Sequence, residues 1–203
     1  MYLKAVLLVL TLAGLLLLAT YRPSHAIAQN SDDMKQAQVK RGWYLVEAGG
    51  CNDCHSPKIF TAMGPIPDTT KLLSGHPAAS KHPEIPKDVL GPDKWGALAS
   101  NDLTEWAGPW GVSFTRNLTP DVATGLGSWT EDMFIKAIRN GKDMGEGRDI
   151  LPPMPWQEFR SLTDGDLKAI FAYLRSLPPI ENAVPDPLSP TGDRIPTLQP
   201  GKK

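Results

Sequence analysis

The 203-residue sequence contains only two cysteines, Cys51 and Cys54, and only four histidines. Two thiols cannot build the multi-bridge framework that staples small exported domains, and a pair three residues apart closes too small a ring to constrain the chain much. Charge of one sign is also missing. Lys and Arg number 21 against 22 Asp and Glu, without the basic excess or stripe that would mark a nucleic-acid partner. Beyond residue 28 no apolar run reaches the roughly 20 residues that a spanning helix needs. No internal repeat is visible.

What is present begins with an address. "MYLK" is a short positive start, "AVLLVLTLAGLLLLA" (5–19) is an unbroken apolar run, and Ala26-Ile27-Ala28 offers a small-x-small site before Gln29. That layout predicts a signal peptide over 1–28; an uncleaved N-terminal anchor, giving membrane association, is the other fate it allows. Both place the rest of the chain outside the cytoplasm, in the periplasm. Lys4 and Arg22 leave with the signal, so the remaining chain carries 19 basic against 22 acidic residues, a net of −3. Its length suits one domain.

Periodicity predicts an all-α domain over 29–178. A helix is expected over 32–48, capped by Ser31, with Val39, Trp43 and Val46 on one face and Gly49-Gly50 ending it. A second follows a Thr130 cap, buries Phe134, Ala137 and Ile138, and stops at Gly141. The third starts in a Thr163/Asp166 capping box, presents Leu167, Ile170, Phe171 and Leu174, and ends before Pro178-Pro179. Between His55 and Phe114 lie eight prolines and no sustained period, which predicts a long loop insertion at about 56–113 and no strands. Residues 179–203 are expected to form a proline-rich extended tail.

The chemistry concentrates in "GGCNDCHSPK", where His55 follows Cys51-x-x-Cys54. A thioredoxin-like dithiol needs a βαβ setting, and none is visible. Zinc needs four ligands, yet His76 and His82 stand in the proline-rich segment without paired spacing. Covalent haem attachment needs what is there. Two thiols on one helical turn can reach the two vinyl groups of a porphyrin, and the next residue offers its imidazole to the iron. One haem c, held through Cys51 and Cys54 with His55 as a metal ligand, is therefore expected.

The other axial position decides between an electron carrier and a haem enzyme. Met154, in "ILPPMPWQEF", has prolines on both sides that fix an extended backbone, a fitting mount for a thioether. Met144, in a glycine-rich stretch, is the runner-up. His76 would give a bis-histidine iron. Met133 is expected to pack on its helix and His82 to be a solvated loop residue; Met34 and Met63 have no locating feature.

The stretches "RGWYLVEAGGCNDCH", "FTRNLTPDVATGLGSWTEDMFIKAIRNGK" and "LPPMPWQEFRSLTDGDLKAIFAYLRSLPP" resemble the class I c-type cytochromes, nearest to the monohaem periplasmic or membrane-associated cytochromes that partner bacterial dehydrogenases. The resemblance implies a class I cytochrome c fold with a long proline-rich loop insertion. It assigns Cys51 and Cys54 to the haem, His55 to the proximal and Met154 to the distal position. It also implies that the helix holding Gly42 crosses the C-terminal helix near Tyr173. A carbonyl at Gly64-Pro65, with Pro67 as the alternative, would accept from the His55 Nδ1, and Trp129, Arg116 and Asn117 can donate to the haem propionates. Trp156 would cover a haem edge or a loop. The implied function is single-electron shuttling between a dehydrogenase donor and an oxidase or another cytochrome in the respiratory chain. The alternative is a haem enzyme, peroxidase-like or acting on a small molecule, whose distal ligand leaves.

Overall fold

The computed structural model describes residues 23–197. Five helices, α1 (Pro23–Ala48), α2 (Cys51–His55), α3 (Glu131–Asn140), α4 (Trp156–Phe159) and α5 (Asp164–Ser176), are joined by five short strands. Those strands correct the all-α expectation. β1 (Lys58–Thr61) and β2 (Gly64–Pro67) form a hairpin, and β3 (Leu98–Ala99), β4 (Glu105–Gly108) and β5 (Gly111–Phe114) form an antiparallel three-stranded sheet in the order β3-β4-β5. The fold is mixed. The reason is local: β4 and β5 are mostly buried with no clean in-out alternation, and β1 is mostly exposed, so neither sheet shows the period-2 signal by which a strand is recognised.

Two compact units divide at residue 38. The described part of the first is the opening of α1. The helix starts at Pro23, not behind Ser31, and residues 30–37 are exposed. Proline suits a first helical turn because its missing N–H is not needed there. Most of the expected signal segment lies outside the described residues; 23–28 are helical. No helix among the described residues is long and apolar enough to cross a membrane.

In the second unit, α1 buries Gly42 and Val46, while Trp43 is 48% exposed. The buried face thus runs through Gly42, where sequence periodicity pointed to Trp43. A Cβ built on Gly42 would stand 1.9 Å from the Ala169 carbonyl oxygen and 2.8 Å from the Tyr173 Cβ, the close crossing that the resemblance implied. The core gathers Val46, Leu126, Trp129, Phe134, Leu167 and Phe171 among others, with the Phe134 and Phe171 rings 5.3 Å apart. Leu73, from the long 56–113 segment, is fully buried in that core at φ +60°.

Both expected capped helices start as read. Thr130 Oγ1 accepts from Met133 N at 3.2 Å, and Gly141 closes α3 at φ +64°. Thr163 Oγ1 accepts from Asp166 N at 3.1 Å and donates to the Asp166 carboxylate at 2.9 Å. After α5 no helix or strand follows among the described residues. Asn182 donates to the carbonyls of Ser74 and His76 at 2.7 and 2.8 Å, and Leu188 bridges Val112 of β5.

Candidate functional site

Gly49 and Gly50 end α1, and Gly50 turns at φ +64° so that α2 starts at Cys51. In this single helical turn Cys54 and His55 face one apolar cavity, while Cys51 packs against the core beside it. The two cysteines form no disulfide with each other. Burial pushes the Cys51 thiol up to about 11 and raises Cys54 as well.

The cavity is half open, with about 900 Å³ of empty space that includes solvent at its mouth. Its character is that of a cofactor site, apolar with a few placed polar groups. Its apolar wall is the inner face of α3, with Phe134, Ala137 and Ile138, extended by Leu118, Leu126 and Phe114. The stretch before α4, with Ile150, Leu151, Pro153 and Met154, also lines it. His55 and Met154 therefore line one cavity. Met144 is not among its lining residues; it packs against the core.

The His55 ring is oriented by one contact: its Nδ1 lies 2.8 Å from the carbonyl oxygen of Arg116. With Nδ1–H donating there, Nε2 is left as the ring's acceptor. Burial pushes the imidazole below its ordinary value, which keeps it neutral, against the opposing pull of the Arg116 carbonyl. Pro65, the sequence candidate for that acceptor, is exposed on β2 opposite Phe60. A backbone carbonyl leaves no residue-type signature, so the sequence offered nothing that would have selected Arg116.

The polar groups of the cavity form a small charged set. The Arg116 guanidinium stacks over the Trp129 ring at 4.8 Å and pairs with the carboxylate of Asp143. Arg148 lines the same space. Two buried donors, Arg116 Nε and Trp129 Nε1, have no acceptor among the described residues. Buried polar groups are normally satisfied, so two orphaned N–H groups on one wall fit a ligand that carries acceptors. Asn117, the third donor expected from sequence, is turned away: its Nδ2 donates to Thr124 Oγ1 at 3.1 Å and to the Ile180 carbonyl at 2.8 Å. Trp156 packs over Gly141. Asp143 and Arg148 were not singled out by sequence reasoning; surface charges and these two look alike until the chain is folded.

His76 stands elsewhere. It is 3% exposed, its Nδ1 lies 2.8 Å from Thr104 Oγ1, and it lines a separate cavity with His82. His82 is an exposed loop residue, as expected, and is also paired with Glu105. Phe114 stands between the two chambers, lining both. Among the described residues no group of three or more His, Cys, Asp or Glu is arranged to hold a metal ion.

No family model matches the chain. It is similar to the gluconate 2-dehydrogenase cytochrome c subunit of Pantoea cypripedii, 31% identical over 164 residues that make up 78% of this chain and 29% of that protein. One of the subunits of nicotinate dehydrogenase from Pseudomonas putida is 38% identical over 149 residues, 73% of this chain and 9% of the relative. The cytochrome c subunit of alcohol dehydrogenase (quinone) from Gluconobacter oxydans is 29% identical over 174 residues, 83% and 28% of the two chains. The chain thus spans less than a third of the length of the curated relatives it matches. These relatives bear out the resemblance to c-type cytochromes that partner dehydrogenases.

Proposed function

We propose, from the premise that this chain's relatives are cytochrome c subunits of dehydrogenases, that it is a one-electron carrier with a single covalent haem c. Cys51 and Cys54 would hold the porphyrin, and His55 and Met154 would ligate its iron. The observation that carries this reading is that His55 and Met154 line one apolar cavity while Arg116 takes the His55 Nδ1. When bound, the haem supplies a reversible one-electron couple, whose potential His/Met ligation raises relative to bis-histidine iron.

The chain's own residues do the rest. The Arg116 carbonyl fixes the ring plane and tautomer of His55, and such a contact strengthens the ligand. With the cofactor in place, Phe134, Ile138 and Leu126 would exclude water around it, which strengthens electrostatic contacts there. Arg116 Nε and Trp129 Nε1 would receive the carboxylates at the porphyrin edge. The electron donor is proposed to be a dehydrogenase, the acceptor another cytochrome or an oxidase of the respiratory chain, and the place the periplasm, with residues 1–28 as signal or anchor. The rival, a haem enzyme with a leaving distal ligand, needs an acid or base over the iron. His76, the one candidate from sequence, is held by Thr104 and lines the other chamber.

The test is optical and mass-spectrometric. The exported protein should gain the mass of one haem, and its ferric form should show the weak far-red sulfur-to-iron band. Met154→Ala should abolish that band and leave the attached haem. A band that survives in Met154→Ala moves the ligand to another residue; a colourless protein with both thiols free to alkylate removes the reading altogether.

A further inference from the structure

Asp143 has a role that a carboxylate on a short turn does not normally take. It is 4% exposed and lies in the 3-10 turn Asp143–Gly145. A buried carboxylate is expected to have a cation beside it, and the partner is Arg116. That partner is the residue whose carbonyl oxygen takes the His55 Nδ1.

The turn is itself closed. Asp143 N donates to the Arg148 carbonyl at 2.8 Å, Gly147 N donates to the Asp143 carbonyl at 2.8 Å, and Ile150 N donates to the Gly141 carbonyl at 2.8 Å. The chain that leaves this closed loop at Ile150 reaches Met154 within four residues, with Leu151, Pro153 and Met154 all on the cavity wall. The Arg116–Asp143 pair therefore joins two segments of the cavity lining. One end sets the acceptor for His55, and the other anchors the loop that carries Met154.

We propose that Asp143 is a positioning residue: through Arg116 it fixes the carbonyl that orients His55, and it ties that carbonyl to the loop that delivers Met154. This rests on the haem reading above. Without the carboxylate, the Arg116 guanidinium keeps the face of Trp129 and, in the holoprotein, the haem carboxylates at its Nε, but loses the protein anion that ties it to the 143–150 loop. A guanidinium freed from that loop shifts, and its own backbone carbonyl moves with it. The His55 contact and the seat of Met154 loosen together. A second ion pair on the same loop, Lys142–Asp149 at 2.6 Å, is a control because it is exposed and does not touch Arg116; such pairs contribute little.

The experiment uses the full-length ferric holoprotein, titrated with free imidazole and followed by absorbance, at a pH where imidazole is neutral. A neutral competitor makes the reading insensitive to a purely electrostatic role. Asp143→Asn should tighten imidazole binding about tenfold, the lower end for loss of a group that orients a metal ligand, and Asp143→Glu should recover most of it. Asp149→Asn should match the wild type. An Asp143→Asn protein that binds imidazole like the wild type overturns the proposal, as does an equal effect from Asp149→Asn. If Asp143→Asn does not accumulate as folded holoprotein, Arg116→Lys, which keeps the carbonyl and the charge but loses the fork, is titrated instead. Tightened binding supports the coupling and unchanged binding overturns it. A wild type without haem, or without the methionine band, defeats the haem reading itself and this proposal with it.

Discussion

Gly42→Ala should destabilise the protein although alanine is the better helix former. The added Cβ would lie 1.9 Å from the Ala169 carbonyl oxygen and 2.5 Å from its carbon, against the backbone of α5. An ordinary contact begins near 3.4 Å, so α1 and α5 must separate by more than an ångström at their crossing. No flexible side chain can absorb that. Overpacking of this kind costs about 1–3 kcal/mol, and backbone meeting backbone puts it at the upper end. Helix propensity returns up to about 1 kcal/mol, leaving a net loss of about 2 kcal/mol. With a urea m-value of roughly 2 kcal/mol per M, the midpoint falls by about 1 M. Far-UV circular dichroism of the holoprotein reads this directly. Gly165→Ala is the matched control: it lies in α5, and its nearest neighbour would be Thr163 Oγ1 at 3.7 Å, so no loss is expected. If Gly42→Ala is as stable as the wild type, the crossing does not depend on a missing side chain.

Two further effects follow from the packing. Leu73→Ala removes a fully buried side chain of the long 56–113 segment and should cost about 3 kcal/mol, a drop of about 10 °C in Tm; a drop under about 3 °C in a thermal melt would mean that this segment does not belong to the core. Glu105, 4% exposed, should give a pH-dependent loss. Burial pushes its carboxyl above the ordinary value, against the pull of His82. A raised folded value makes its contribution complete below the unfolded carboxylate range and loses it as pH rises through the folded value. Urea midpoints between about pH 4 and 8 should therefore fall more steeply for the wild type than for Glu105→Gln, and parallel profiles would refute the assignment.

The parts of the fold that were legible in the sequence were those encoded locally. Thr130 with Gly141, and Thr163 with Asp166, mark helix ends by side chains that bond their own first turn, so no tertiary knowledge was needed. The start of α1 was missed because nothing at Ser31 breaks the helix; a run of Ala, Gln and Lys continues equally well in both directions. The sheets were missed because β3, β4 and β5 are only 2–4 residues long, too short for an alternating pattern to show. The site divides in the same way. Cys51, Cys54 and His55 announce themselves by adjacency. The Arg116 carbonyl and the Asp143 carboxylate owe their roles to residues 61 and 27 positions away, and neither residue type carries that information alone.

The same cavity predicts what the chain does without its cofactor. Phe134, Ile138, Leu118, Leu126 and Leu151 turn apolar surface toward a space of about 900 Å³. Among the described residues the stretches 68–97, 115–130 and 177–197 are largely irregular, and Leu73, Leu126 and Trp129 are what they bury in the core. Covering these walls together with the apolar faces of a bound haem removes roughly 400 Å² of apolar surface from water and contributes about 10 kcal/mol, comparable with the whole net stability of a domain, about 5–15 kcal/mol. The double variant Cys51→Ser/Cys54→Ser, which cannot attach a haem, should therefore lose near-UV circular dichroism while α3 and α5, capped by their own side chains, keep part of the far-UV signal. That combination marks a compact state without fixed packing. A colourless double variant with a native near-UV spectrum and an undiminished urea midpoint would mean that the apolar walls close on one another, and that this cavity is not built around a cofactor.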